Sequence, residues 1–301
     1  MVRLWDFSLF KRMRQAVMGA MVISGAFASV DALAAARTWD EVQVLPAAFK
    51  EGLVYLRVSL EGGASVWMLL DTGDEGCSLD VSEAKRRGLR LTSDPAGVGG
   101  FGERRQEAFK TKVALQIGAL SMRRVACRAY TLAPIQGPDG QPVAGVLGYA
   151  LLAGKVLTID YPNQRVQLDS GPPQEGVSVD FVAHLPVVDM KIGARSAKAL
   201  IDTGGAYGLL IAPAAAERLG LSEQLGQAQA IEGVGASGRQ AVKLGTAPSF
   251  SVAGVEQSNP PVVYASFGTE TVSFDAALGR DVLSRYKLVL DYRTRTFRLD
   301  Q

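Results

Sequence analysis

Apolar and polar positions alternate from Leu53 to Leu60, Gly62-Gly63 supplies a turn, and Val66 to Leu70 follows as a second apolar run. A period of two marks a half-buried strand, and an apolar run just beyond a glycine turn marks its hairpin partner. The same design returns later in the chain. Val188, Met190 and Ile192 alternate with polar neighbours, Gly193-Ala194 turns, and a further strand runs into Ile201. Val156 to Leu168 and Leu288 to Leu299 predict two more hairpins, turning at Pro162-Asn163 and Arg293-Thr294. Helices are expected to be few. Asp80 to Arg87 stops at Gly88, and Pro213 to Leu219, opened by proline, stops at Gly220. The pattern predicts an all-β protein with one or two short helices in each half.

That pattern is also a repeat. Leu69-Leu70-Asp71-Thr72-Gly73 returns 131 residues later as Leu200-Ile201-Asp202-Thr203-Gly204. Leu147-Gly148 returns at the same spacing as Leu278-Gly279, and Leu157, Asp160-Tyr161 and Leu168-Asp169 as Leu288, Asp291-Tyr292 and Leu299-Asp300. Gly97-Val98-Gly99 matches Gly233-Val234-Gly235, and Gly118 matches Gly254, both at 136; a longer loop from Pro134 to Ala144 restores the register. One Asp-Thr-Gly is a common accident, but two with matched partners indicate a duplication. The expected organisation is a lobe over 39–168, a Pro/Gly-rich solvated linker over 169–176, and a second lobe over 177–301.

Composition narrows the chemistry. The 301 residues are 48% hydrophobic with a formal net charge of +2, as in globular proteins large enough for two domains. The single histidine, His184, sits in a Val-Ala-His-Leu-Pro context that reads as the start of a strand. Nucleophilic sites that need an imidazole have one candidate at most, and a Cys/His zinc site lacks ligands. Acid–base work falls to carboxylates, and neither a metal nor a cofactor is expected. At the N-terminus, Arg3, Lys11, Arg12 and Arg14 precede an uncharged stretch from Ala16 to Val30, followed by Ala32-Leu33-Ala34-Ala35-Ala36. Residues 1–36 read as a signal peptide for export to the periplasm or beyond. The alternative is a retained membrane anchor, for which the stretch falls short of the roughly 20 residues that span a bilayer. Without this segment the chain is formally neutral and offers nucleic acid or anionic lipid no charge to bind. Cys77 and Cys127 can pair in an oxidising compartment; two separate buried thiols are the other reading.

An aspartate at the end of an apolar strand is carried toward a buried position, where its charge is disfavoured. The glycine two residues on permits the tight turn that brings backbone amides to the carboxylate. Two fused copies pack most simply about a pseudo-two-fold axis, which brings Asp71 to face Asp202. Carboxyls in contact do not readily both ionise, so the pair shares a proton and can act as acid and base together.

With these motifs the chain resembles the pepsin/retropepsin superfamily of aspartic peptidases, in the single-chain retropepsin-like form of bacterial type, over about residues 50–168 and 180–300. The resemblance implies two closed-barrel lobes with a cleft between them, and Asp71 and Asp202 as the catalytic dyad. It implies that Thr72 and Thr203 each bond to the opposite lobe, with Gly73 and Gly204 in the turns. Val146-Leu147-Gly148 and Ala277-Leu278-Gly279 would pack beneath the aspartate loops. Gly97-Val98-Gly99-Gly100-Phe101-Gly102 and Gly233-Val234-Gly235-Ala236-Ser237-Gly238 would be substrate-binding flaps. The implied activity is endopeptidase hydrolysis of peptide or protein substrates, by a monomer, with apolar side chains on either side of the scissile bond.

The sequence departs from that family in three places. Asp74 and Gly205 stand where Ser, Thr or Ala usually follows the triplet, neither glycine-rich loop holds a pepsin-type tyrosine, and no long pro-segment fits before the first strand. Asp74 either faces the dyad, raising its upper apparent pKa, or belongs to a solvated Asp74-Glu75-Gly76 turn. Gly97, Gly99 and Gly102 mimic a phosphate loop, but a polar stretch precedes them and no helix follows. A metal at Asp71 and Asp74 would lack further acidic ligands. The main competing function is a non-catalytic peptide binder that keeps the fold; two intact triplets weigh against it. Trp67, Met68, Phe101 and Tyr207 lie near the motifs and are candidates to line subsites, with core packing expected for most of them.

Overall fold

Trp67-Met68-Leu69-Leu70 is an unbroken apolar run because its strand is covered on both faces. Met68 and Leu70 enter the main core, while Leu69 joins Leu53, Tyr55, Val143 and Val146 on the other side. Leu200, with Leu185, Val187, Leu210 and Ala277, forms the equivalent side cluster in the second half. The computed structural model describes residues 42–100, 102–132, 135–235, 238–266 and 274–301. The segment read as a signal peptide, Pro134 of the long loop, Phe101, and Ala236-Ser237 lie outside the described residues. Among those described, no helix is long and apolar enough to cross a membrane.

The first lobe opens with β1 (Gln43–Leu45) and β2 (Ala47–Lys50), parted by Pro46, followed by the expected hairpin β3 (Leu53–Leu60) and β4 (Ser65–Leu70). β5 (Cys77–Asp80) runs into α1 (Val81–Arg86), where the Asp80 carboxylate accepts from the Ser82 amide at 2.9 Å and caps the helix. β6 (Thr92–Gly100), β7 (Gly102–Ile117) and β8 (Leu120–Tyr130) form a meander, and β9 (Gly145–Leu147) leads into a one-turn α2 (Tyr149–Leu152). β10 (Val156–Asp160) and β11 (Arg165–Asp169) complete the lobe. Strands β3, β4, β9, β5, β8 and β7 pair in that order, and β7 returns to β3 with Leu60 opposite Leu115. The six strands therefore close on themselves, leaving the ring without an edge.

The second lobe repeats this with β12 (Val177–Val182), β13 (Leu185–Ile192), β14 (Arg195–Ile201) and β15 (Leu209–Ile211). The helix expected over 213–219 is instead a single 3-10 turn, Pro213–Ala215, and α3 (Ser222–Gln227) begins beyond Gly220. Ala215, Ala216, Leu219 and Leu221 are all buried, so packing rather than helix propensity decides that path. β16 (Gln229–Gly235), β17 (Gly238–Thr246), β18 (Ser249–Val252), β19 (Val255–Ser258) and β20 (Pro261–Tyr264) follow. β21 (Ala276–Leu278), α4 (Arg280–Leu283), β22 (Lys287–Asp291) and β23 (Thr296–Asp300) end the chain. Pro248 and Pro260 break the second ring, since proline has no N–H for the ladder. The amides of Ala247 and Asn259 bridge the gap to the Pro260 and Pro248 carbonyls. β18 then meets β13, Phe250 opposite Ile192, as β7 meets β3 in the first lobe.

The lobes join through six antiparallel strands in the order β1-β11-β10-β22-β23-β12. At the centre Thr158 lies opposite Val289, Leu157 opposite Leu290 and Ile159 opposite Leu288. Thr158 and Val289 are the residues that the duplication makes equivalent, and such direct pairing is what a two-fold axis requires. The segment expected as a solvated linker is held in place: Arg293 donates to the carbonyls of Ser170 (3.0 Å) and Gly171, and the Thr296 hydroxyl donates to that of Gln174 at 2.7 Å. His184 stands at the entry to β13, which begins at Leu185. With Ala183 it forms the β12–β13 turn, both at positive φ (48° and 72°), and its exposed ring stacks on Tyr149 of the first lobe at 4.2 Å.

β5 and β8 run side by side, with Ser78 opposite Arg128, which brings Cys77 and Cys127 together as a disulfide across 50 residues of chain. Closing a loop of that size removes denatured-state entropy equivalent to about 4 kcal/mol. The double variant Cys77→Ser, Cys127→Ser is expected to lose ~2–4 kcal/mol of unfolding free energy in urea titrations; an unchanged midpoint would contradict this.

Candidate functional site

β4 and β14 end at the lobe interface, and each passes its last apolar residue directly to an aspartate. The Asp71 amide donates to the Leu147 carbonyl at 3.0 Å and the Asp202 amide to that of Leu278 at 2.9 Å, extending the parallel pairings β4–β9 and β14–β21 by one step. Gly148 and Gly279 then pass beneath the aspartate loops. A Cβ on Gly148 would lie 2.8 Å from the Asp71 carbonyl oxygen, and one on Gly279 would lie 2.8 Å from that of Gly205. The contact requires glycine. The next amides complete the support: Tyr149 donates to the Asp74 carbonyl at 3.0 Å, and Arg280 to the Gly205 carbonyl at 2.9 Å.

Thr72 and Thr203 are fully buried between the lobes. Each amide donates to the other's hydroxyl, at 3.0 and 3.1 Å. Each hydroxyl in turn donates to the strand end opposite, Thr72 to the Ile201 carbonyl at 2.6 Å and Thr203 to the Leu70 carbonyl at 3.2 Å. These bonds set the carboxyls of Asp71 and Asp202 side by side: a Cβ on Gly73 would lie 2.9 Å from Asp202 Oδ1 and 3.1 Å from Asp71 Oδ1. The Gly73 amide donates to Asp71 Oδ1 at 2.7 Å, and the Gly204 amide to Asp202 Oδ1 at 3.1 Å and to Asp71 Oδ1 at 3.2 Å. Burial, then the charge of Asp202, then that of Asp74 push the Asp71 carboxyl well above the ordinary carboxylate range. Burial raises Asp202 as well, but hydrogen bonds led by that of Tyr207 oppose the rise.

Asp74 is turned inward rather than out into a solvated turn. Its Oδ1 accepts from the Gly76 amide at 2.7 Å and its Oδ2 from the Ser78 hydroxyl at 2.6 Å. Tyr207, one of four residues left between subsite and core, places its hydroxyl on Asp202 Oδ2. The sequence signal for it was Gly205: with no side chain after the triplet, space opens beside the aspartate for a donor from further along. Tyr161 and Tyr292, the residues that follow the repeated β10 and β22 aspartates, were also unforeseen. Their hydroxyls are buried without a hydrogen-bond partner among the described residues. Burial raises both, and next the charge of Asp71, so both stand within electrostatic reach of the dyad.

The remaining expected residues are more scattered. Met68 lies in the core, and Trp67 is half-buried with the Arg57 guanidinium 5.0 Å over its ring. Gly97, Val98, Gly99 and Gly100 belong to β6, whose hairpin with β7 closes at Gly100 opposite Gly102. Gly233, Val234 and Gly235 belong to β16, whose hairpin with β17 closes at Gly235 opposite Gly238. The two expected flaps are thus equivalent hairpin ends.

The family model described as Aspartyl protease matches the chain twice, over residues 56–151 and 188–282, once in each lobe. No curated protein matches it. Among solved structures it is similar to basic 7S globulin from soybean, with 9% identity, a TM-score of 0.44, and coverage of 86% of this chain and 94% of that one.

An aspartate whose folded pKa is raised ionises more readily in the unfolded chain, so its contribution to stability is present at low pH and lost as pH rises through the shifted value. Asp71→Asn removes that loss. The variant is therefore expected to gain stability over the parent between pH 4 and pH 7, read from thermal unfolding at both; a gap independent of pH would refute the raised carboxyl.

Proposed function

The chain belongs to the aspartyl protease family, and from that premise we propose that it is an endopeptidase in which Asp71 and Asp202 activate a water between them, and the water attacks the peptide carbonyl. The observation that carries this reading is the close approach of two partly buried carboxyls at the pseudo-two-fold axis, each with a glycine amide on Oδ1. A pair sharing one proton supplies a base for the water and an acid for the carbonyl oxygen at the same pH. A single chain provides both carboxyls, which supports a working monomer. The two hairpin ends, Gly97 to Gly100 and Gly233 to Gly235, are assigned to substrate binding. The Cys77–Cys127 disulfide supports an oxidising compartment and hence export.

The test is cleavage of a peptide library by protein lacking residues 1–36, with inhibition by a statine-containing peptide. Asp71→Asn and Asp202→Asn are each expected to lower kcat/KM at least a thousandfold. Tight peptide binding without turnover in the parent protein would favour the non-catalytic binder. Cleavage surviving either substitution would refute the dyad.

Asp74 extends this to pH dependence. Its negative charge raises Asp71, so removing the charge lowers the upper apparent pKa of the pair. Asp74→Asn retains an acceptor for the Gly76 amide, and its pH–rate profile should lose activity on the neutral side relative to the parent. A profile superimposable on the parent's would exclude the charge effect.

A further inference from the structure

The two aspartate loops share the Asp-Thr-Gly turn but differ at the three equivalent pairs that follow it, two of which bear on the carboxyls. The first loop carries Asp74 and Gly76; the second carries Gly205 and Tyr207. The substitutions are interlocked. A Cβ at Gly205 would stand 2.6 Å from Tyr207 Cζ and 2.7 Å from Asp202 Oδ2, so the phenol ring occupies the space that a side chain at 205 would need. Glycine at 205 is what admits the tyrosine to the dyad.

Hydrogen bonding then distinguishes the two carboxyls. Asp202 accepts on both oxygens, from the Gly204 amide at Oδ1 and the Tyr207 hydroxyl at Oδ2. Asp71 accepts two amides, those of Gly73 and Gly204, both at Oδ1. Among the described residues no backbone or hydroxyl donor reaches its Oδ2, and the inward-turned Asp74 carboxylate adds a negative charge that acts on Asp71. A carboxyl with donors on both oxygens favours its ionised form, and a carboxyl with one open oxygen beside a second negative charge favours its protonated form.

We propose that Tyr207 is a positioning residue of the dyad: its hydroxyl holds Asp202 as the ionised member, leaving the shared proton on Asp71 Oδ2. The proposal rests on the peptidase reading and deepens it by assigning the two roles. Asp71, the protonated partner, polarises the substrate carbonyl; Asp202 draws the proton from water. Burial, followed by the charge of Asp202, holds the Tyr207 phenol well above its ordinary range, so it stays a donor wherever the enzyme works. The other titratable groups facing the pair are Asp74, with Glu75 and Arg128 acting on it, and the tyrosines at 130, 161 and 292, none of which hydrogen-bonds to Asp202.

The test follows the side-chain carboxyl 13C resonances of aspartate-labelled protein through a pH titration without substrate, alongside the pH–rate profile. Tyr207→Phe removes one oxygen and is expected to raise the lower apparent pKa of the pair by about 1–2 units. Activity on the acid side should fall about tenfold or more while the neutral side moves less. Gly205→Ala keeps the hydroxyl but displaces the ring, and should shift the same step. The double variant should shift it no further than either single one. With Asp202→Asn in place, Tyr207→Phe should have no effect on the remaining carboxyl. A lower step unmoved by Tyr207→Phe, or independent effects of the two substitutions, would overturn the proposal. The titration needs no turnover, so a protein that cleaves no peptide would sink the peptidase reading while leaving the Tyr207 assignment to stand or fall on the resonances.

Discussion

The exchange of hydrogen bonds between Thr72 and Thr203 is the interaction on which the site depends. It engages two amides, two hydroxyls and two strand-end carbonyls in a place closed to water. Leaving such groups unpaired costs about 1–3 kcal/mol each, so the arrangement is met completely or not at all. Because each threonine bonds to the lobe opposite, the aspartates beside them are held at a separation neither lobe could set alone. The central pairing of β10 with β22, Thr158 opposite Val289, obeys the same symmetry.

On this symmetric frame the chemistry is asymmetric. The backbone support of Asp71 repeats that of Asp202 in the amides accepted by the Leu147 and Leu278 carbonyls and in those donated by Tyr149 and Arg280. The side chains do not repeat. One loop turns a carboxylate inward, and the other turns in a phenol through the gap left by a glycine. Symmetry brings the two carboxyls together; burial raises both, and the charge of Asp202 adds to the rise at Asp71. Local asymmetry is what allows one to hold the proton and the other to give it up.

The lobes themselves differ in how they close. The first ring is continuous and has a disulfide between β5 and β8, next to the loop that carries Asp74. The second is interrupted by Pro248 and Pro260 and has no cysteine to reinforce it. Each Asp-Thr-Gly turn nonetheless has the same support, because its anchors lie on the parallel pairings at the centre of each ring rather than on the meander strands that vary.

Much of this was legible in the chain. The strands around each triplet, the 131-residue repeat, the all-β duplicated fold and the glycines beneath the loops follow from local periodicity and from spacing, which depend on backbone sterics and burial that neighbouring residues dictate. The meeting of Asp71 with Asp202 was reachable too, since duplication implies an axis and an axis pairs equivalents. The sequence did not reveal where single side chains would point. Asp74 could have faced water and Tyr207 a core; residues 213–219 could have completed a helix. Those outcomes turn on contacts between segments far apart in sequence, where one missing Cβ at Gly205 or one buried face around Leu219 decides the matter. By itself the amino-acid order determined the frame and the two carboxyls it carries, because periodicity and repetition are local properties. Which hydroxyl serves which carboxylate was decided only by the tertiary structure, because a hydrogen-bond partner is chosen by what packing brings within three ångströms.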